Sequence, residues 1–434
     1  MWLNYRNSNS MDAKKRGEGD KVRLIGWIAS KRVHREKIFI NLRDRYGYIQ
    51  LVARGDMLPA NKYELAKKTN IESAIAVEGV IKRDERAPGG VEIHLTDFIV
   101  ISPASEWPIT LSALKSPGFL FDIRHLSLRG PKSRAIMIIR AELLRAFVEY
   151  FLVNDYVWIQ APTFITSAVE GGATLFPVKY FDKMAYLTQS AQFYEEAAIC
   201  AFEKVFVVQP SFRSEKSRTR KHLTEFWHVE AEVAFATHED IMKVEEELLY
   251  YATSKLIERV PNEIKYVRGD LFKPPEPPFE KIKYDEALSI LHNKGIGIEW
   301  GQDFGAEAER EISKQFEKPF FITHYPVTAR SFYHMNDPNR PEVTLSSDLF
   351  APEGYGELTS GGQRIHKYED LYEKILEFGL NPDEYKWYLE LRKYGMPPHS
   401  GFGLGVERTL RWLLHLPHIR EAILFPRTPT RLYP

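Results

Sequence analysis

The chain has 434 residues, 44% hydrophobic and 27% charged, with 59 Lys and Arg against 59 Asp and Glu. That length suits two or three domains with sizeable cores, and zero net charge excludes a histone-like basic protein and an acidic disordered chain. The single cysteine, Cys200, excludes a disulfide framework and a multi-cysteine zinc site; it reads as a small core residue rather than a catalytic thiol.

The first twenty residues are polar and mixed in charge, with Asp12, Glu18 and Asp20 among the basic residues. They lack the apolar core of a secretory signal, and no later stretch reaches the roughly 18 apolar residues of a membrane span. The expectation is a soluble, cytoplasmic protein with no membrane association and a loosely ordered start. Charge is unevenly spread. Residues 1–110 hold 19 Lys and Arg against 14 Asp and Glu, and the first 50 alone hold 12 against 5. A basic front on an otherwise neutral chain fits a polyanionic partner.

Residues 21–102 read as five strands. Lys21 to Ala29 alternates at period two, and Lys37 to Asp44 and Gly47 to Ala53 flank a turn at Asp44-Arg45-Tyr46-Gly47. Residues 60–69 read as a helix, and 73–82 and 90–102 resume strand across Pro88-Gly89-Gly90. Five strands with a helix after the third is the order of an OB-fold barrel, whose open face commonly binds single-stranded nucleic acid. On that face Phe39 is placed to stack a base and Gln50 to reach a base edge, with Arg32 and Arg43 near phosphates. Phe39 fits the barrel core equally well.

Pro103, Pro108, Pro117 and Gly118 mark a linker, so the boundaries are 1–102 for the barrel, 103–130 for the linker and 131–434 for the remainder. From Ser133 the apolar residues Ile136, Ile139, Leu143, Phe147 and Phe151 recur at helical spacing. Strands follow at 156–160, 205–208 and 226–236, with helices near 190–202, 238–258, 305–316 and 406–416. The strands are too widely spaced for a Rossmann alternation. The reading is α+β, an N-terminal OB-fold β-barrel followed by a large antiparallel sheet flanked by helices. There is no GxGxxG after a strand and no P-loop.

Three segments carry chemistry. Five of the nine residues from Arg213 to Lys221 are Lys or Arg, in a loop between strands, which suits a polyphosphate. Asp348 to Arg364 mixes carboxylates, hydroxyls and glycines, the oxygen ligands Mg²⁺ takes beside phosphates. Gly401, Gly403 and Gly405 alternate along a strand that leads to Arg408 near a helix start, a combination suited to an anion.

Together these segments resemble the class II aminoacyl-tRNA synthetases. Phe212-Arg213-Ser214-Glu215 is similar to their motif 2, Gly403-Leu404-Gly405-Val406-Glu407-Arg408 to motif 3, and the region of Pro162 to motif 1, with Asp155 where a glycine is common. The barrel in front, Arg124-His125-Leu126 and the closing Leu424-Phe425-Pro426-Arg427 resemble the aspartyl, asparaginyl and lysyl subgroup. Aspartyl enzymes usually show a lysine that grips the substrate carboxylate where this chain has Glu195. Phe226-Trp227-His228-Val229-Glu230 is similar to the archaeal-type asparaginyl enzymes.

The resemblance implies activation of asparagine with ATP and Mg²⁺, transfer to tRNA(Asn), and a homodimer formed through the motif 1 region. It implies Arg213, Glu215, Lys221, His222, Leu223, Glu357, Gly405 and Arg408 at ATP, with Arg213, Glu215 and Arg408 catalytic. Glu170, Gln192, Glu195, Glu230, Ser360 and Arg364 fall to the amino acid, and Glu357, Ser360 and Asp348 to the metal. Glu195 is expected to repel aspartate, Glu230 to accept from the asparagine NH₂, and Arg364 to donate to its carbonyl. The alternatives are an aspartyl-tRNA synthetase, including a non-discriminating one, and an asparagine-forming ligase on the same core.

Overall fold

The structure is a computed structural model that describes residues 2–166, 174–216 and 219–434. The chain divides into two compact units, Met1–Leu120 and Phe121–Pro434.

In the first unit, helices α1 (Trp2–Tyr5) and α2 (Ser10–Lys15) precede five strands, β1 (Lys21–His34), β2 (Lys37–Asp44), β3 (Gly47–Arg54), β4 (Ala74–Arg83) and β5 (Val91–Ser102). The strands close a barrel in the order β1-β2-β3-β5-β4, with helix α3 (Ala60–Lys68) between β3 and β4. Alternation does the work: Val22, Leu24, Ile38, Ile40, Leu51 and Ile93 point inward and are fully or nearly fully buried. At the β4 bulge a Cβ on Gly79 would lie 2.5 Å from the His94 carbonyl, so only glycine lets β4 and β5 approach there.

The start of the chain is ordered, against expectation. Asn9 accepts from the Met11 and Asp12 amides and caps α2. Ser10 donates to the Asp44 carboxylate through both its amide (2.7 Å) and its hydroxyl (2.5 Å), and Ala13 enters the barrel core. The anchor is tertiary, so local polarity gave no sign of it.

The expected linker carries helices α4 (Pro117–Asp122) and α5 (Arg124–Ser127). Arg124 donates to the carbonyls of Leu424 and Ile423, which makes its stretch part of the second unit. Helix α6 (Pro131–Val153) leads through Asp155, at φ +62°, to β6 (Val157–Trp158). The left-handed backbone explains the glycine common at that position, and aspartate is one of the residues that tolerates it.

A small sheet follows, of β7 (Phe164–Ile165), β8 (Pro177–Tyr180) and β9 (Lys183–Leu187). Next come α7 (Gln192–Phe202), the hairpin β10 (Lys204–Phe212) and β11 (Glu225–Ala234), α8 (His238–Arg259) and α9 (Pro261–Arg268). Then β12 (Glu280–Lys283), α10 (Tyr284–Asn293), α11 (Ala306–Ser313) and β13 (Phe320–Thr323) precede a short pair, β14 (Asn336–Asp337) and β15 (Arg340–Thr344). The chain closes with β16 (Ser346–Ala351), β17 (Gly356–Gln363), α12 (Tyr368–Glu377), α13 (Lys386–Lys393), β18 (His399–Gly405) and α14 (Val406–Leu413).

Eight of these strands form one sheet in the order β12-β13-β16-β17-β18-β11-β10-β6. The six central strands are antiparallel, as expected, while the two outermost pairings are parallel. One face carries Phe206, Val229, Ala231, Leu349, Phe402 and Leu404 against α6 and α8. On the opposite face the middle of the sheet carries polar residues and glycines, among them Glu230, Glu232, Gly401, Gly403 and Ser360, while Val205 and Ile322 join smaller apolar clusters toward its edges.

Candidate active site

Period two places His228, Glu230 and Glu232 on the polar face of β11. Register continues the row: Glu230 pairs with Gly403, Gly403 with Ser360, and Ser360 with Asp348. The β18 glycines make the floor. A Cβ at Gly401 would overlap the Glu232 carboxyl, and one at Gly403 would lie 3.4 Å from Glu230 Oε1. The alternating glycines thus clear space for two carboxylates lying over the neighbouring strand.

One end of this floor opens into a cleft lined by Arg213, Glu215, Lys221, His222, Leu223, Glu357, Gly405 and Arg408. The β10–β11 loop brings the first five, β17 brings Glu357, and the β18–α14 junction brings the last two. Arg213 is held by its amide donating to the Thr224 carbonyl at 3.0 Å and by its guanidinium standing over the Phe226 ring. Arg408 pairs with Glu357 at 2.7 Å. Burial raises the Glu357 carboxyl, but Arg408 and Lys221 more than offset it and hold it at about 2. His222 is pushed down to about 4 by burial and then by Arg408 and Lys221, so it is neutral at pH 7; its Nδ1 meets Thr219 Oγ1 at 2.8 Å. The cleft therefore presents fixed cations and a neutral imidazole to a polyanion.

The other end is a buried carboxylate cluster. Glu230 accepts from Ser190 Oγ at 2.5 Å and from the Ala191 amide at 2.8 Å. Arg364 donates through Nε (3.0 Å) and Nη2 (2.7 Å) to Glu232 Oε1. Glu195, on the first turn of α7, is pushed well above the carboxylate range by burial and then by Glu230 and Glu232. Burial among carboxylates therefore works against the charge through which Glu195 was expected to repel aspartate. Gln192 Nε2 donates to Glu196 Oε1 at 2.9 Å, and Glu196 also takes Arg392, His399 and Tyr388.

Asp348 pairs with Arg330 at 2.5 Å, and Arg330 lies flat on the Tyr325 ring at 3.6 Å. Ser360 faces the same side from the next strand. Glu170 lies outside the described residues. Cys200 is exposed on α7 rather than in the core, with its Sγ 3.7 Å from Met396 Sδ. Sequence reading missed Glu232, although His-x-Glu-x-Glu on one strand already sets it beside Glu230. It also missed Glu196 and Glu309, for which the local sequence gives no sign.

On the barrel, Phe39 is half-buried on the outer face under the Arg32 guanidinium at 5.1 Å, outside the core cluster. Gln50 donates to Glu92 at 2.8 Å, and His94 meets the other Glu92 oxygen at 2.7 Å. Arg43 is not available to phosphate, a second correction: it is buried in a bidentate pair with Glu72.

Residues 117–429 match the family described as tRNA synthetases class II (D, K and N), and residues 22–101 match the OB-fold nucleic acid binding domain. The chain belongs to these class II tRNA synthetases. Within the family it is 51% identical over 420 residues to the asparagine--tRNA ligase of Pyrococcus horikoshii, covering 96% of this chain and 97% of that one. The crystal structure of the asparaginyl-tRNA synthetase from Pyrococcus horikoshii complexed with asparaginyl-adenylate matches with a TM-score of 0.94 over 96% of this chain and 97% of that chain. An aspartyl tRNA synthetase from Entamoeba histolytica matches with a TM-score of 0.87 at 27% identity, over 99% and 93%. Among the described residues no helix is long and apolar enough to cross a membrane.

Proposed function

We propose that the chain is an asparagine--tRNA ligase acting in the cytoplasm. It joins asparagine to ATP as asparaginyl-adenylate with loss of pyrophosphate, then passes the asparaginyl group to a hydroxyl of the terminal ribose of tRNA(Asn), and AMP leaves. The observation that carries this reading is a cationic cleft and a buried carboxylate cluster set at the two ends of one glycine floor.

The asparagine carboxylate attacks the α-phosphorus of ATP, the bond to the bridging oxygen breaks, and pyrophosphate leaves. Arg213 holds the α-phosphate and the attacking carboxylate, so both anions meet at one guanidinium. Glu215 meets the adenine. Lys221, His222 and Arg408 take the outer phosphates. Leu223 and Gly405 shape the walls.

At the other end Glu230 accepts from the asparagine NH₂, and Arg364 donates to its carbonyl. Gln192 and Glu170 hold the α-amino group. The geometry favours asparagine over aspartate because the Arg364 charge is already matched by Glu232, with no lysine at position 195. A second substrate carboxylate would meet carboxylates. The asparagine-forming ligase has no use for the barrel, whose outer face carries Phe39, Arg32 and Gln50 for an anticodon.

Glu357 and Ser360 on β17 and Asp348 on the paired β16 would hold Mg²⁺. Among the described residues no three His, Cys, Asp or Glu form a metal cage. A sparse oxygen set fits Mg²⁺ that keeps waters and shares phosphate oxygens, and the ion would neutralise the charge of the leaving pyrophosphate. Val157 and Trp158 on the edge strand β6 and Val153 at the end of α6 are exposed, and these apolar side chains suit a homodimer interface.

The test is ATP–pyrophosphate exchange with asparagine or aspartate, with tRNA charging followed in parallel. Exchange with asparagine, abolished by Arg213→Ala in a folded protein, is expected. Activation by aspartate alone overturns the assignment.

A further inference from the structure

Glu309 belongs to α11, outside the three motifs and outside the residues that line the cleft. Its side chain is 8% exposed. Oε1 receives the Lys221 ammonium, and Oε2 accepts from the Glu357 amide at 3.2 Å. One carboxylate thus ties the β10–β11 loop to β17. The glycine beside it is explained by the same contact. Gly356 has φ +83°, and a Cβ there would lie 2.7 Å from Glu309 Oε2, pushing the carboxylate off the amide.

Lys221 stands at the wall of the cleft, and Glu357 carries the ion pair with Arg408. We propose that Glu309 is a positioning residue for ATP: it fixes Lys221 and the backbone of Glu357 together, and so sets the spacing between the Lys221 and Arg408 cations before ATP arrives. The inference rests on reading the cleft as the ATP site. A lysine on a loop samples many rotamers, and ordering it at the moment of binding weakens affinity. The ion pair orders it beforehand. An ammonium has three donors, so Lys221 keeps two for phosphate oxygens while one is held by Glu309. Glu309 itself touches no substrate.

The test uses the full-length enzyme in asparagine-dependent ATP–pyrophosphate exchange. Glu309→Gln, Lys221→Met and the double variant are compared by kcat, KM for ATP and KM for asparagine. Glu309→Gln is expected to raise KM for ATP about fivefold, the cost of immobilising one long side chain. KM for asparagine stays unchanged, while loss of a buried ion pair lowers the melting temperature in a protein that still folds. In the Lys221→Met background the Glu309 substitution adds nothing further, because its effect runs through that lysine. Glu309→Asp, too short to reach both partners, is expected to give the same pattern and serves if the glutamine variant fails to fold.

Additive effects of the two substitutions, equal rises in both KM values, or an unchanged KM for ATP each overturn the proposal. Absence of asparagine-dependent exchange in the unsubstituted enzyme is a different failure, that of the functional reading, and is seen before any variant is made.

Discussion

Glu196 is fully buried and surrounded by donors. Oε1 takes Gln192 Nε2 at 2.9 Å and the Tyr388 hydroxyl at 2.8 Å, while Oε2 takes Arg392 Nη2, His399 Nε2 at 3.0 Å and again the Tyr388 hydroxyl at 2.8 Å. Glu196→Gln keeps the shape but turns one oxygen into an NH₂. In one orientation that NH₂ faces Gln192 and Tyr388; in the other it faces Arg392 and His399. Neither satisfies the site, and both leave the Arg392 cation buried without its counter-charge. Removing one partner of a buried ion pair costs about 3–5 kcal/mol. The expected loss is in that range, read by urea unfolding with the second unit's tryptophans, among them Trp387 and Trp412. Burial works against the Glu196 charge, but Arg392 and His399 outweigh it and hold the carboxyl below its ordinary value. Its stabilisation is therefore full above the unfolded pKa and lost as pH falls through the folded one, so the gap between the two proteins narrows in acid. Gln192 loses its acceptor as well, and KM for asparagine rises. A loss under about 1 kcal/mol at pH 7, the scale of an exposed ion pair, refutes the reasoning.

Three further outcomes are expected. His222, at about 4, has a folded pKa below its ordinary 6.5, so it stays neutral from pH 5 upward and charges only toward pH 4, beside Arg408. The pH profile of kcat/KM for ATP then shows no break near 6.5; a break there that His222→Gln removes contradicts this. Phe39→Ala and Gln50→Ala each weaken tRNA charging, by about 1–3 kcal/mol for the stacking residue, and spare adenylate formation; a parallel fall in both activities makes the residue structural instead. Trp158→Glu places a charge on the exposed apolar edge and is expected to shift the protein from dimer to monomer in sedimentation; a species unchanged in mass moves the interface elsewhere.

Local signals were enough for some elements. The barrel followed from alternation and turn residues, because each strand has one wet and one dry face. The amphipathic helices α6, α7, α8, α11 and α14 were visible in the sequence, but α9, α10, α12 and α13 were not. The last two lie in a region rich in aromatics such as Tyr385, Trp387 and Tyr388, whose burial is decided by packing on Phe193 from α7. The N-terminal segment was misread for a similar reason. Its order depends on Ser10 meeting Asp44, thirty-four residues away.

The site divides along the same line. Which residue types would meet the ligands was legible in the chain alone, because the arginines of the β10–β11 loop, the carboxylates of β16 and β17 and the β18 glycines stand in contiguous, ordered segments. Only the tertiary structure decided their charge states and partners. Glu195 is pushed up and Glu196 held down although they are adjacent in the chain, because one is buried beside Glu230 and Glu232 and the other meets Arg392 and His399. Burial makes electrostatic energy depend on neighbours brought from distant segments, and no local pattern records who those neighbours are.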